Sequence, residues 1–253
     1  MLVFCYDKTF EGLLSAVFDA YSGKKFPERL IGYGEPEPMF TEQLWHVASV
    51  REKADRVWRG LQKRMYPKAL YMLSNVWLSE QPGSDELIFR YVRKIFDAPQ
   101  AGMEANFTDP DMLQAHKIAQ QVSREAEHVR QFVRFQKAGD DTYFAPIEPK
   151  YNCLPLSLSY FKDRFADQKW MIYDTRRGYG FYYDLRTVTE INLPNNPMDG
   201  SQLDDKLMAE DEKLFQKLWN GYFKALTIKE RINPKLQRQH MPRRFWKYLP
   251  EMH

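Results

Sequence analysis

The chain has 253 residues, enough for one large domain or two small ones with a substantial hydrophobic core. Hydrophobic residues make up 43% and charged residues 28%, which excludes a disordered chain, and no stretch reaches the ~20 apolar residues that span a bilayer. The formal net charge of +3 is unevenly distributed, because Gly221 to His253 carry eight Lys or Arg and two acids. The positive charge is therefore concentrated in the C-terminal tail.

The N-terminal forty residues predict two strands around a helix. Residues 2–6 are a short apolar run, typical of a buried strand. Thr9 is placed to cap a helix over residues 10–21, whose apolar side chains recur at helical spacing. Residues 28–34 predict a second strand.

The next hundred residues predict helices, and the chain then becomes richer in strands. The predicted helices cover residues 50–64, 67–80, 84–97 and about 109–136. The predicted antiparallel strands cover residues 142–147, 169–174, 179–184 and 187–191, with a short helix near 155–165. A loop over 194–202, a final helix over about 203–230 and an irregular basic arm complete the chain.

These elements predict an α+β fold with a small, mostly antiparallel sheet. We expect one mixed domain over residues 1–253, with a helical insertion at about 41–137, a sheet-rich part at about 138–192 and a C-terminal helix and basic arm at about 203–253. A five-residue apolar strand needs a partner strand. We therefore expect residues 2–6 to join the sheet of residues 142–191.

The motifs that identify common reactions are missing from the sequence. It has no glycine-rich phosphate loop, no GxGxxG dinucleotide motif, no GxSxG elbow and no deaminase signature. Its five His and two Cys lack zinc-ligand spacing, and two Cys are too few for a radical-SAM cluster. We expect no metal and no cofactor, and the sequence does not decide whether the protein is an enzyme.

The cysteine content and the N-terminus bear on cellular location. Cys5 and Cys153 are too few for a disulfide framework, although the sequence does not decide whether they pair. The first residues lack the charged leader and apolar run of a signal peptide. A reducing cytoplasm is the expected compartment, with no membrane contact.

Residues 124–135 form the first candidate site. Arg124 and His128 share a helix face with Phe132 and Phe135, and Arg134 follows close by. A histidine among arginines and aromatic rings is able to bind a phosphate or a base. The alternative is an amphipathic helix whose apolar residues enter the core while its charges face water.

The second candidate site is the turn after the strand that begins at Trp170. This strand delivers Asp174 and two arginines, Arg176 and Arg177, into a turn. Such a turn is able to present guanidinium groups to a phosphate. The alternative is a hairpin in which Asp174 accepts hydrogen bonds from the turn backbone.

The tail is the third candidate site. Its basic residues alternate with Phe, Trp and Tyr, as in surfaces that bind nucleic acid through phosphates and stacked bases. The expected phosphate-binding residues are Lys229, Arg231, Lys235, Arg243, Arg244 and Lys247. The alternative is an arm whose aromatic residues, such as Trp246 and Tyr248, pack onto the body while its cations stay solvated.

Several short segments, taken in order, resemble one known family. They are Tyr6-Asp7-x-Thr9-Phe10-Glu11-Gly12, Lys53-Ala54-x-Arg56-Val57, Phe132-Val133-Arg134-Phe135, Ile172-x-Asp174-x-x-Arg177, Arg231-x-Asn233 and Met241-Pro242-x-Arg244-Phe245-Trp246. The chain resembles the bacterial domain-of-unknown-function family labelled putative DNA metabolism protein. It departs from the family at Lys8-Thr9, where many relatives have Gly-Ser, and at Gln131, where Gly is usual.

The resemblance implies a role in DNA repair or modification. Members are often encoded beside a radical-SAM protein, and some are fused to a uracil-DNA glycosylase-like domain, for which this chain has no extra length. A radical-SAM partner and contact with single- or double-stranded DNA are what the resemblance implies. It supplies no catalytic residues.

Three functions follow as alternatives. The first is a DNA-associated accessory or processing factor working with a radical-SAM partner. The second is an enzyme acting on DNA or nucleotides, with Asp174, Arg177, Arg134 and His128 as its site, and the third is an adaptor without direct DNA contact. We expect Arg134, Asp174 and Arg177 to form one linked polar cluster, which is able to leave one guanidinium free for a phosphate or, if it is closed to solvent, has a structural role. Convergence of these three residues with Asn233 in a pocket would favour the enzyme.

Overall fold

The computed structural model describes residues 1–193, 198–199 and 202–252. The chain divides into two compact units, Met1–Val122 and Ser123–His253, which we call the N-terminal and C-terminal units. The boundary falls within the helix Pro110–Phe132. The mixture of helices and small sheets confirms the predicted α+β class.

The N-terminal unit combines three short strands with five helices, the last of which continues into the C-terminal unit. In chain order these elements are β1 (Leu2–Tyr6), α1 (Phe10–Gly23), β2 (Arg29–Gly32), β3 (Gln43–His46), α2 (Arg51–Arg64), α3 (Pro67–Leu78), α4 (Ser84–Asp97) and α5 (Pro110–Phe132). A 3₁₀ turn at Met103–Ala105 precedes α5.

Strand β1 is the central strand of a three-stranded parallel sheet. It pairs with β2 on one side and with β3 on the other. The prediction that residues 2–6 join the sheet of residues 142–191 is therefore wrong. The chain returns through α1 to place β2 parallel to β1, as a crossover connection requires, and β3 lies in a segment that the sequence assigned to the helical insertion.

Helix α1 forms for reasons that are visible in the sequence. The Thr9 hydroxyl accepts a 2.9 Å hydrogen bond from the Gly12 amide, which confirms Thr9 as the N-cap. Leu13 and Val17 lie on the buried face and join a core with Phe4 of β1. This burial of apolar surface holds the helix against the sheet.

The C-terminal unit contains most of the candidate site residues. Its further elements are β4 (Gln136–Lys137), β5 (Tyr143–Ile147), α6 (Leu158–Arg164), β6 (Trp170–Asp174), β7 (Tyr179–Tyr183), β8 (Val188–Ile191), β9 (Met198–Asp199), β10 (Gln202–Leu203), α7 (Glu212–Leu226), α8 (Pro234–His240) and α9 (Arg243–Trp246). Short 3₁₀ turns occur at Leu154–Ser157, Lys229–Arg231 and Pro250–Met252.

The main sheet of this unit has the strand order β4-β5-β6-β7-β8. Strands β5 to β8 lie where the sequence predicted them, and three of the four pairings are antiparallel. Strands β5 and β6, however, are parallel. The reason is that α6 lies between them and makes the connection long enough to carry the chain back.

The last third of the chain departs from prediction at its boundaries. Helix α7 begins at Glu212, well after the predicted start near residue 203, because residues 202–203 pair with β9. Of the predicted loop over 194–202, residues 194–197 and 200–201 lie outside the described residues. The basic arm is more ordered than predicted, since α8 and α9 form within it.

Three further expectations concern the domain count, membrane contact and the cysteines. The prediction of one folding domain over residues 1–253 stays a prediction. None of the helices in the described ranges is long and apolar enough to cross a bilayer. Cys5 and Cys153 are both buried and free, and burial raises the pKa of the Cys153 thiol.

Candidate functional site

The turn between β6 and β7 is organised by a buried carboxylate. Asp174 has no exposed surface, and its Oδ1 accepts hydrogen bonds from the amides of Arg176 (3.0 Å) and Arg177 (3.2 Å). Gly178 completes the turn with φ +72°, in the left-handed region that glycine tolerates. The hydrogen bonds are those of the hairpin alternative.

Arg177 ties this turn to the loop that follows β5. Its Nη1 donates to Asp174 Oδ2 (2.8 Å) and to the Pro149 carbonyl (3.2 Å), while Nη2 donates to the Lys150 carbonyl (3.3 Å). Arg176 also donates to the Lys150 carbonyl, at 3.0 Å. Burial raises the pKa of Asp174 even though Arg177 opposes the shift. With only 11% of the Arg177 side chain exposed, the pair acts as an internal brace.

Arg134 belongs to a different group of side chains. Its Nη2 donates to Glu251 Oε1 at 2.6 Å and its Nε donates to the same oxygen at 3.1 Å. Trp219 of α7 donates from its indole nitrogen to the other Glu251 oxygen at 2.9 Å, and the Arg134 guanidinium lies 5.6 Å from the Trp219 ring. The Glu251 side chain is almost fully buried.

The expected cluster of Arg134, Asp174 and Arg177 is therefore divided between two networks. The described hydrogen bonds place Arg134 with Glu251, whereas Asp174 is placed with Arg177. Asn233 has a third role, because its Oδ1 accepts a 3.0 Å hydrogen bond from the Leu236 amide and caps α8. The prediction of one linked cluster is wrong, because each group found a nearer carboxylate or backbone partner.

Glu125 of α5 links the helix to the tail. Its Oε1 accepts hydrogen bonds from the Lys150 amide (2.7 Å) and from Arg244 Nε (2.9 Å), and its Oε2 accepts from Arg244 Nη2. The Glu125 side chain is almost fully buried. A buried carboxylate needs such partners, because an unpaired charge in the interior is strongly destabilising. Arg244 is thus a structural residue of the unit.

His128 lies beside this pair, with its Nδ1 3.7 Å from Glu125 Oε2. Its ring is largely buried and contacts Phe132 and Phe245 at centroid distances of 5.8 and 6.1 Å. Burial lowers the pKa of His128, and the positive charge of Arg244 adds to this effect, while Glu125 opposes it. Phe132 of this segment therefore packs against Phe245, as the amphipathic alternative expected of its apolar residues, but the buried Glu125 does not face water as that alternative expected of its charges.

The end of the tail is anchored in the C-terminal unit. Phe245, Tyr248 and Leu249 are buried, while Trp246 is half-buried and donates from its indole nitrogen to the Met241 carbonyl (3.0 Å). The Tyr248 hydroxyl lies 3.0 Å from the Thr175 hydroxyl. This packing matches the alternative in which the aromatic residues of the arm are core anchors.

The six cations predicted to bind phosphate fall into two groups. Arg244 pairs with Glu125, and Lys247 pairs with Glu148. The other four are exposed, and none of the ion pairs among residues 1–193 and 202–252 includes them: Lys229, Arg231, Lys235 and Arg243. Arg243 lies 5.7 Å from the ring of Trp246. Of the six predicted cations, these four have no carboxylate partner among the described ion pairs and are open to an external anion.

The sequence interpretation missed a polar network in the N-terminal unit. Asp7, at the carboxyl end of β1, accepts hydrogen bonds from the Thr9 hydroxyl (2.7 Å) and the Ser49 hydroxyl (2.6 Å). Asp85 accepts from Lys8 Nζ (2.7 Å) and from the Tyr6 hydroxyl (2.9 Å). The Tyr6-Asp7-x-Thr9 segment was a visible signal, but the contribution of Asp85, far along the chain, was not.

Metal binding is not indicated by the described side chains. Within residues 1–193, 198–199 and 202–252, no group of three or more His, Cys, Asp or Glu is placed to hold a metal ion. The carboxylates above instead accept hydrogen bonds from neighbouring protein groups.

Residues 82–251 match the sequence family described as a domain of unknown function, DUF4130. The chain belongs to the DUF4130 family. This confirms the part of the resemblance that concerned a domain of unknown function. The matched residues include Glu125, Asp174, Arg177, Arg244 and Glu251, so the networks of the C-terminal unit lie within the family's own region.

Beyond the family match, this DUF4130 protein has little detectable likeness to known proteins. No curated protein matches it significantly. Among solved structures it is similar to a pGpG-specific phosphodiesterase, PggH, from Vibrio cholerae, with 10% identity over 88% of this chain and 98% of that chain and a TM-score of 0.28. At that TM-score the likeness carries no argument about fold or function.

Proposed function

We propose that this DUF4130 protein is a DNA-associated accessory factor that contacts nucleic acid through its C-terminal segment. The observation that carries the proposal is the exposure of Lys229, Arg231, Lys235 and Arg243, together with the pairing of Arg244 and Lys247 to carboxylates. The proposed contact set is thus four cations instead of the six that the sequence suggested.

Phosphate is the ligand that suits these side chains. A row of exposed Lys and Arg displaces the counterions condensed on a nucleic acid, which gives binding with little sequence preference. Lys229 and Arg231 share one 3₁₀ turn, and Lys235 lies in α8, which starts at Pro234. The backbone that carries these cations is already folded, so less backbone conformational entropy is lost on binding.

An accessory role is favoured over an enzyme built on the Arg134 and Asp174 groups. Asp174 is closed to solvent, and Arg134 already binds the buried Glu251. Both arrangements are typical of structural networks, in which a buried carboxylate is held by an arginine. The radical-SAM partner implied by the family resemblance is part of this proposal, and size-exclusion chromatography of the two purified proteins tests it.

Fluorescence anisotropy with a labelled oligonucleotide of about 20 nucleotides tests the DNA contact, since such a length covers the 4–16 nucleotides of common single-strand sites. Single-stranded and duplex forms of the same sequence are compared at low salt. We expect the variant Lys229→Gln/Arg231→Gln/Lys235→Gln to bind at least about tenfold more weakly than the wild type, alike across sequences.

A matched control removes the same number of charges elsewhere. Lys63, Lys68 and Lys117 are exposed, and changing all three to Gln lowers the net charge by the same amount. This control should bind within about twofold of the wild type, because it removes the same total charge and leaves the proposed contact residues in place. Equal loss in both triple variants would show that only total charge matters and would contradict the proposed contact set.

A further inference from the structure

Helix α7 carries an unusually exposed apolar face. We define the α7 face as Leu214, Phe215, Leu218, Tyr222 and Leu226, which recur at the i, i+4 and i+8 spacing of one side of a helix. Each of the five side chains is between 56% and 60% exposed. Large contiguous apolar surface of this kind marks interaction sites in soluble proteins.

The α7 face borders two clefts of the C-terminal unit. A groove of about 660 Å³ is lined by Phe215, Leu218 and Tyr222 together with Phe135 and Tyr143. A second cleft, of about 520 Å³, begins at the end of the face and is lined by Leu226, Ile228, Ile232 and Leu236. The apolar surface is therefore concave in two places, and these concavities can receive side chains from a partner, as ligand-binding grooves do.

One flank of the α7 face is cationic. Lys213, Lys217 and Lys224 are exposed and fall on the same side of the helix, next to the apolar stripe; Lys213 pairs with Asp205, and no described ion pair includes the other two. The opposite flank faces the body of the unit, where Glu212 accepts a 2.9 Å hydrogen bond from the Lys137 amide and Trp219 bonds Glu251. Residues 213–240 contain seven Lys or Arg and one acid. The open flank of the face therefore favours a negatively charged partner.

Two other occupants fit this surface less well. Nucleic-acid interfaces are more polar than protein–protein interfaces, and the aliphatic side chains they bury are mainly single wedges between base steps, not a stripe along a helix. A second copy docked through a two-fold axis would bring the same patch of both chains together. In an antiparallel helix pair, this places the flank that carries Lys217 and Lys224 beside its own symmetry mate, and the like charges repel.

We propose that the α7 face is a docking site for an acidic amphipathic helix of another polypeptide. The apolar side of that helix packs on Leu214, Leu218 and Tyr222 and enters the adjacent groove. Its carboxylates lie along Lys217 and Lys224, since Lys213 already pairs with Asp205. The site is separate from the proposed DNA contacts, which use Lys229, Arg231, Lys235 and Arg243.

The probe is a set of three designed peptides of about 16 residues, long enough to form a helix on binding. The first has a leucine face flanked by glutamates, the second has the same leucines flanked by lysines, and the third is a scrambled form of the first. By fluorescence anisotropy with the full chain, we expect the acidic amphipathic peptide to bind at least about tenfold more tightly than either of the others.

Variants of the protein locate the binding. Leu218→Glu should weaken the acidic peptide at least about tenfold, whereas the control Leu185→Glu, at another exposed leucine, should leave binding unchanged. Lys217→Glu/Lys224→Glu should reverse the preference between the acidic and the basic peptide. Circular dichroism of each variant checks that the fold is retained, as the exposure of all these positions leads us to expect.

Three results would overturn this proposal. Equal binding of the amphipathic and scrambled acidic peptides would mean that charge alone acts. Dimerisation of the unliganded chain that Leu218→Glu abolishes would identify a second copy as the occupant. Loss of oligonucleotide binding in Leu218→Glu would assign the face to nucleic acid. Loss of oligonucleotide binding in the Lys229/Arg231/Lys235 variant alone would bear on the proposed DNA contact and would not affect the docking proposal.

Discussion

Arg244 Nε donates a 2.9 Å hydrogen bond to the buried carboxylate of Glu125, which lies 119 positions earlier in the chain. The pair fastens α9 to α5, because the second guanidinium nitrogen binds the other carboxylate oxygen. This use of Arg244 separates it from its exposed neighbour Arg243, although the two look equivalent in the sequence.

The first prediction compares these neighbours. Arg244→Ala leaves Glu125 buried without its cation, which is destabilising, although the 35% exposure of the Arg244 side chain lets solvent weaken the effect. We expect a loss of about 2 kcal/mol, or about 4–8 °C in the Tm measured by differential scanning calorimetry. Arg243→Ala should change stability by less than about 0.5 kcal/mol. Equal shifts for both variants would contradict the assignment.

The second prediction concerns Glu251 and pH. Burial raises the pKa of Glu251, but the hydrogen bonds from Arg134 and Trp219 outweigh burial and leave the pKa below its ordinary value of 4.5. The stability contributed by Glu251 is therefore complete above pH 4.5 and is lost as the pH falls through the lower pKa of the folded state. Glu251→Gln should lower the Tm at pH 7, and the difference from wild type should shrink as the pH falls to about 3. A difference that stays constant over this range would count against the ion pair with Arg134.

The third prediction separates two aromatic residues of the tail. Phe245 is buried against His128 and Phe132, whereas Trp246 is half-buried. Phe245→Ala should cost about 3–5 kcal/mol, because it removes a large side chain from the core and leaves a cavity. Trp246→Ala should cost less, and urea unfolding compares the two. A larger effect at Trp246 would mean that the tail is anchored differently.

Local features of the sequence predicted the helices and strands well. Thr9 and the apolar spacing after it specify α1, because capping and helical periodicity involve residues a few positions apart. The partners of β1 were not predictable in this way. Strand pairing joins distant segments, and β3 was hidden in a run that was assigned to helices.

The candidate site shows the same division between local and distant information. The hairpin alternative for the turn at Asp174 was correct. It could be predicted from the sequence because the Asp174 carboxylate accepts hydrogen bonds from residues only two and three positions further along. The partner of Arg134 lies 117 positions away at Glu251, and no local pattern reveals it. The sequence shows that the tail is basic, but only the packing of the chain decides that Arg244 meets a carboxylate while Arg231 stays exposed.

The salt dependence of DNA binding tests the central claim most directly. With contacts from Lys229, Arg231, Lys235 and Arg243, the logarithm of the association constant should fall with the logarithm of salt concentration with a slope of about −3, since each phosphate contact contributes about −0.7 to −0.9. Lys229→Gln/Arg231→Gln/Lys235→Gln should reduce the magnitude of that slope by about two units. An unchanged slope in this variant, or no detectable binding of the wild type at low salt, would contradict the proposal of direct DNA contact.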